Sequence, residues 1–529
     1  MNLATTLLAT AKSAPHRCAL AGPQPVTYAQ LSARVGALAT VVARTAAPGD
    51  RVVIVAGNEP AFVVAYLGVL AAGAVAVPLN VGSPSHELRH EIDAVDPVLA
   101  LASAANADLA RRAVAPQAMS PQFAPHSEES PRRGIPVVII DEVDASGTPP
   151  EIVARDATDL AVLLFTAGTA GAPKPAMLTH ASLLANIEQM QSHPGLQVTA
   201  DDVALGVLPL FHVYGLNVVL GLALHAGASV SLVDHFHPVE TLARLRNDRV
   251  TVVAGVPAIY DAWLGLDDAT APRASFETVR LCVSGATTLP AQTVTAMRER
   301  FGVVVHDGYG LTEASPVVTT TAVAAEPRPG SIGPPLPGIE VRLLDRDGHP
   351  ALVGDPGQLV VRGPNVFAGY WGDAATTSAV LVDGWLHTGD IGVADGDGWL
   401  TLVDRAKDII IVSGFNVFPG EVEDALRSHR DVAEAAVIGE PHPRTGETVV
   451  AFVVARPGHV PDPVELLRHA GRRLARYKLP TRVEVVDALP RTLAGKLVRR
   501  ALSASGSGSG AASDVATGRT PDDATTKPA

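Results

Sequence analysis

Cysteine is nearly absent. The 529-residue chain has two, Cys18 and Cys282, too few and too far apart for a disulfide framework or a cysteine-based metal site. That usage fits a reducing cytoplasm. Positive charge is also short, with 41 basic against 54 acidic residues and a net charge of −13. General attraction to nucleic acid or to an anionic membrane is therefore not expected, and any anionic ligand must be held by local positive features. Long uninterrupted apolar runs are lacking as well. The stretch 203–233 is broken by Pro209, His212, Asn217 and His225, so it reads as buried strands and helices and no transmembrane segment is expected. The first fifteen residues carry no basic n-region and only a broken apolar stretch. They read as an amphipathic helix rather than a signal peptide.

What is present is an α/β rhythm. Short β-branched runs at 52–56, 74–78, 137–140, 161–165, 230–233, 252–254 and 279–283 alternate with helical stretches, the pattern of largely parallel sheets covered by helices. After about residue 338 shorter segments such as 340–344 and 357–362 are separated by Asp/Gly turns, which reads as a small β-rich subdomain. From 404 a compact block follows, with strands expected at 408–412, 433–439, 448–455 and 482–486 and helices at 421–428 and 463–474. About a hundred residues is enough for a separate α+β domain. The expected organisation is a large N-terminal domain (1–403), a hinge (404–408), a C-terminal lid (409–502) and a Gly/Ser-rich tail (503–529) of flexible composition. The stretch 103–134, rich in Ala, Pro, Ser and Arg, shows no periodicity and reads as a surface excursion.

The chemistry begins at FTAGTAGAPKPAMLTH (165–180), directly after an apolar run and before a helical stretch. Gly168 and Gly171 allow close backbone approach, and the loop N–H groups with Lys174 can hold phosphate oxygens. Alone, such a loop is an ordinary turn, and it does not match the G-x-x-x-x-G-K-[ST] pattern. It has company: YGLTE (309–313), GWLHTGD (384–390), DRAKDIIIVSGFNVFPGEVE (404–423) and PRTLAGK (490–496) follow in order. Together these motifs resemble the adenylate-forming superfamily of acyl-CoA synthetases, peptide-synthetase adenylation domains and luciferases, and the resemblance runs to about Arg500.

The resemblance implies ATP-dependent activation of a carboxylic acid, fatty acids foremost, to an acyl-adenylate and then a thioester with coenzyme A. Two anions must meet in the first step, so catalysis should rest on positioning and charge neutralisation. It implies ATP contacts at Thr166, Gly168, Thr169, Gly171, Lys174, Gly285, Tyr309, Thr312, Asp390 and Arg405. Glu313 corresponds to the family's magnesium-associated glutamate, Asp390 to the ribose-binding aspartate, and Lys496 to the catalytic lysine that neutralises charge between carboxylate and α-phosphate. His212 corresponds to a position beside the acyl entrance and departing pyrophosphate, Lys407 to the hinge, and Gly414 to the glycine that leaves room for the pantetheine arm. Val213, Tyr214, Val256 and Val317 are candidates for an apolar acyl tunnel. His212, Val213 and Tyr214 follow Phe211, where an amino-acid-activating domain usually has an aspartate nearby, so amino acids are disfavoured.

The phosphate loop departs from the family's usual T-S-G-T-T-G-x-P-K-G, with Ala167, Ala170 and Pro175 in place of Ser, Thr and Gly. Two hydroxyl donors are gone, and each lost hydrogen bond to a charged phosphate costs roughly 1.5–3 kcal/mol if nothing replaces it. Weaker ATP use is the expectation. Two alternatives stay open at this point: an acyl-AMP ligase that loads a carrier protein, and a catalytically degenerate nucleotide-binding homologue. Peripheral membrane contact is likewise left open.

Overall fold

A computed structural model of the chain describes residues 1–115, 134–145, 151–166, 173–328, 330–405, 408, 410–412, 415–442, 445–491, 497–499 and 501–502. The chain divides into two compact units, Met1–Lys407 and Asp408–Ala529.

The first unit is built on two helix-covered sheets. One has eight strands in the order Val317–Thr320, Val305–Gly310, Leu281–Ser284, Val252–Gly255, Val203–Gly206, Ser229–Leu232, Cys18–Ala21 and Val26–Thr27. Its inner strands are parallel and its two edge strands antiparallel. The second has six strands, in the order Val137–Ile139, Leu99–Ala102, Arg51–Val55, Val75–Pro78, Leu160–Thr166 and Lys174–Thr179, with only the last pair antiparallel. Near-continuous apolar strands such as Arg51–Val55 suit sheets covered on both faces. An antiparallel sheet follows, with Ser331–Gly333, Leu400–Arg405, Trp385–Ala394, Gly357–Arg362 and Glu340–Leu344 in that order and Leu381–Val382 paired to the longest strand.

Local sequence explains the starts of several helices. Thr27 and Gln30 form a reciprocal capping box before Tyr28–Ala43, as do Thr179 and Ser182 before His180–Ser192, each pair satisfying backbone N–H groups that a helix start leaves open. The helix Pro60–Ala71 is apolar on every side, and residues 61–71 are all buried, as expected of a helix enclosed in a core. The N-terminal stretch forms two short helices, Leu3–Leu7 and Thr10–Ser13, rather than one, with Leu3, Leu7 and Leu8 buried.

Part of 103–134 is not an excursion. Ala107–Val114 is an amphipathic helix that buries Ala110 and Ala113, with Leu109 and Val114 packed beside them. The second half of that stretch, 116–133, lies outside the described residues.

In the second unit, Ile410–Val412, Phe415–Val417, Val432–His442, Gly446–Ala455 and Arg482–Val485 form one sheet, with helices Pro419–Arg427 and Pro463–Ala470. The second helix ends at Ala470 instead of running to 474, with Gly471 at its C-cap. Glycine costs about 1 kcal/mol relative to alanine in a helix interior. The tail 503–529 lies outside the described residues.

Trp263, fully buried, stands edge-on to Phe236, Tyr260 and Phe276 at ring-centre distances of 5.9, 5.8 and 5.4 Å. Its indole N–H donates to the Pro238 carbonyl (3.2 Å). Trp263→Ala is expected to destabilise the first unit by about 3–5 kcal/mol, read as a lower unfolding midpoint in a urea titration followed by circular dichroism.

Candidate active site

In the eight-stranded sheet the chain runs from Val203–Gly206 to Ser229–Leu232 on one side and then returns to Val252–Gly255 on the other. The strand order therefore reverses between 203–206 and 252–255. A crevice opens outside the carboxyl ends of parallel strands at such a reversal, and ligands of open α/β sheets bind there. His212 follows the first of these strands, Val256 the second, and Gly285 the neighbouring strand Leu281–Ser284.

The approach to His212 is shaped by Asn58, whose amide donates to the carbonyls of Gly206 (3.1 Å) and Leu208 (2.8 Å) and whose oxygen accepts from Leu210 N–H (2.9 Å). The wide helical segment Tyr214–Gly221 begins immediately after. His212 and Tyr214 lie deep in the protein yet keep partly accessible rings, the combination expected of a pocket wall rather than of packed core. Burial lowers the His212 pKa to about 4, so near neutral pH the ring is an uncharged imidazole and no fixed cation. A Cβ on Gly285 would lie 3.0 Å from the Tyr214 ring, so this glycine sets how closely strand and ring approach. Val256 and Val317 are half-buried.

Val305–Gly310 carries the next group. Gly310 has no room for a side chain, since a Cβ would lie 2.2 Å from the Pro316 carbonyl oxygen. The strand ends in a short helical turn, Thr312–Ala314. Tyr309 O–H donates to Asp390 Oδ2 (2.6 Å), and both residues are buried. That bond ties the parallel sheet to the antiparallel sheet, where Asp390 stands opposite Arg405 in strand register. Tyr370 O–H donates to Glu313 Oε1 (2.7 Å), and burial, reinforced by Glu313, raises the Tyr370 phenol well above its ordinary range. The Glu313 carbonyl accepts from Phe367 N–H (2.9 Å), and the Ala314 carbonyl accepts from Asn365 Nδ2 (2.7 Å).

Thr166 and Lys174 face each other at the open end of an antiparallel pair, with Thr166 O–H donating to the Lys174 carbonyl (3.4 Å). The Lys174 ammonium donates to Asp373 Oδ2 and to Thr376 Oγ1, each at 2.5 Å, and lies over the Tyr370 ring, 5.8 Å from its centre.

The structure thus brings Tyr309 to Asp390 and places Glu313 and Lys174 on either side of Tyr370. Gly285 and Tyr214 meet near the strand reversal where His212 stands, and Thr312 adjoins Glu313. Arg405 is described only in its backbone. Gly168, Thr169, Gly171, Lys407, Gly414 and Lys496 lie outside the described residues, as do Ala167 and Ala170. Arg491 and Leu497, which bracket 492–496, form a bridge, and Val498 N–H donates to the Pro490 carbonyl (2.8 Å).

Sequence reasoning missed Asn58, Asp307, Tyr370, Asp373 and Thr376. Asp307 was within reach, because it precedes Tyr309 by two in one strand and so shares its face. The others sit outside every motif.

Comparison with known proteins places the chain in a family. Family models for the AMP-binding enzyme and the AMP-binding enzyme C-terminal domain match residues 7–371 and 421–496. A feruloyl-CoA synthase of Amycolatopsis sp is 38% identical over 496 residues, covering 92% of this chain and 96% of the relative. A long-chain-fatty-acid–CoA ligase of Bacillus subtilis (strain 168) is 34% identical over 482 residues, covering 86% and 85% respectively. The crystal structure of ATP-bound MatB from Rhodopseudomonas palustris superposes with a TM-score of 0.86 at 32% identity, covering 95% of this chain and 98% of that one. The chain belongs to the AMP-binding enzyme family, within the adenylate-forming superfamily. It is an AMP-forming acid–CoA ligase, with ATP, a carboxylic acid and coenzyme A as small-molecule substrates. Among the described residues no helix is long and apolar enough to cross a membrane.

Asp307 adds a pH signature. Burial raises its pKa to about 7, although backbone N–H groups of Leu289 and Gly308 donate to it. The unfolded carboxyl titrates near ~3.9. Between those values the folded state holds a proton that the unfolded state has released, so stability falls as pH rises through the window. Asp307→Asn removes that dependence. Its thermal midpoint relative to the parent is expected to climb between about pH 4 and about pH 7, by the equivalent of roughly 3 kcal/mol, read by differential scanning calorimetry across a buffer series.

Proposed function

We propose that the acid is an apolar monocarboxylate, fatty acids first. The observation that carries this reading is the reversal point of the eight-stranded sheet: a polar side bearing Glu313, Tyr309 and Asp390 accompanies strand ends followed by the half-buried Tyr214 and Val256, with the half-buried Val317 starting the edge strand. A carboxyl group at that junction would face the nucleotide while its tail occupied the apolar wall.

Catalysis in this reading is charge management. Lys174 and the loop residues Thr166, Gly168, Thr169 and Gly171 receive the phosphates, and Thr312 adds a hydroxyl. Gly285 and Tyr309 border the adenine. Asp390 accepts hydrogen bonds from the ribose, held in place by Tyr309, and Arg405 contacts ribose and phosphate oxygens. Lys496 neutralises the charge that develops between carboxylate and α-phosphate. Glu313 would hold magnesium, a hard cation that takes one or two carboxylates and completes its shell with phosphate and water; its partner Tyr370 leaves it on a polar, incompletely covered surface, which fits that role. When bound, the ion screens phosphate charge. The neutral His212 lies beside the acyl entrance. Lys407 serves as the hinge residue for the thioester step, and Gly414 keeps the pantetheine path open. A cytoplasmic setting, with peripheral membrane contact when the acid is membrane-derived, accords with this chemistry.

An aryl acid is the second reading, favoured by the feruloyl-CoA synthase relative that matches across 92% of the chain. The purified protein should be offered ATP, magnesium, CoA and a panel of short, medium and long fatty acids, hydroxycinnamates and dicarboxylates, with AMP release and acyl-CoA recorded. Fatty acyl-CoA as the dominant product, lost in Lys496→Ala, is the expected outcome. Aryl-CoA alone would shift the assignment to the second reading. Adenylate without thioester would point to a carrier-protein acceptor. No pyrophosphate exchange with any acid would mark a degenerate homologue.

A further inference from the structure

Two of the groups assigned to the phosphates and the metal, Lys174 and Glu313, are far apart in sequence and on different sheets, yet one short segment between the antiparallel strands touches both. Met177 N–H donates to the Gly369 carbonyl, Ala368 N–H to the Met177 carbonyl, and Trp371 N–H to the Pro175 carbonyl, each at 2.9 Å. These bonds lay residues 368–371 along the strand that carries Lys174. From that seat Tyr370 reaches Glu313 with its hydroxyl (2.7 Å) and presents its ring to the Lys174 ammonium.

Three residues on, Asp373 caps the helix Ala374–Val380 by accepting from Thr376 N–H through Oδ1 (2.9 Å) and uses Oδ2 to accept from Lys174. The lysine and the aspartate are both largely covered, with side chains 26% and 33% exposed. The hydrogen bond from Lys174 is the main reason the Asp373 carboxyl sits well below the usual carboxylate range.

We propose that Asp373 and Tyr370 are positioning residues for nucleotide binding: Asp373 fixes the Lys174 ammonium and Tyr370 fixes the Glu313 carboxylate, so that both meet Mg·ATP already ordered. An ammonium has three donors. Asp373 and Thr376 occupy two, and the third is left for a phosphate oxygen. A free lysine would give up its rotamer freedom on binding; this one has surrendered it on folding. The Asp373 charge is cancelled by the lysine it holds, so little repulsion toward the triphosphate remains. This inference rests on the phosphate and metal roles proposed for Lys174 and Glu313.

The test is calorimetric titration of the full chain with Mg·ATP in the absence of any acid, so that no substrate needs to be known. Asp373→Asn keeps the helix cap, because asparagine caps as well as aspartate, but removes the charge that holds Lys174. It is expected to weaken ATP binding about tenfold while the chain stays folded with a modestly lower thermal midpoint, and to have no further effect on binding in a Lys174→Ala background. Tyr370→Phe keeps the ring and deletes the hydroxyl. It should raise the magnesium concentration needed for half-maximal ATP binding about fivefold, and not beyond what Glu313→Gln does alone. Unchanged or tighter binding by Asp373→Asn, an unaltered magnesium requirement in Tyr370→Phe, or losses that multiply in the double variants would overturn the positioning roles. If Lys174→Ala and Glu313→Gln themselves bind Mg·ATP as the parent does, the underlying assignment of those two residues fails, a result distinct from the others.

Discussion

The hydrogen bond from Tyr309 to Asp390 is where two kinds of sheet become one site. Tyr309 stands near the end of a parallel strand and Asp390 inside an antiparallel one, 81 residues later, and the 2.6 Å contact between them is buried. A buried carboxylate without partners is costly, because the charge has left water. The phenol supplies one such partner and also fixes which way the carboxylate faces. A side chain from a different sheet can fix that orientation without competing for the same backbone.

The same logic extends outward. Glu313 leaves the end of the Tyr309 strand through a turn whose carbonyls accept from Phe367 N–H and Asn365 Nδ2. Residues 368–371 are stitched along the Lys174 strand by backbone hydrogen bonds. The acidic and basic members of the site are thereby tied to the connection between two antiparallel strands. A chain with a net charge of −13 cannot rely on a general field to gather a triphosphate. It needs individual cations held in place, and Lys174 is held by a carboxylate and a hydroxyl.

The apolar half of the site follows from topology. The strand order reverses between Val203–Gly206 and Val252–Gly255, and the segments leaving those strands diverge, which opens space that neither can fill alone. Tyr214 and His212 wall that space. Burial keeps the His212 ring uncharged, so it offers hydrogen bonding and shape without adding a cation beside the acid.

The sequence by itself determined the α/β class, a β-rich stretch after about residue 338, the strands and helices expected in the second unit, and the family whose motifs contain Thr166, Lys174, Glu313 and Asp390. Local periodicity and turn residues encode the first three, and the order of motifs spread along the chain the last. Tertiary structure added the helix at Ala107–Val114, eight residues with an apolar face that the Ala- and Arg-rich surroundings mask. It alone revealed Asn58 bracing the turn before His212, Asp307 beneath the strand end, and Tyr370 with Asp373 beside Lys174. The physical reason is the same in each case. These side chains act across separations of 18 to 199 residues in contacts that neither partner's neighbours announce, so their roles exist only once distant segments have been brought together.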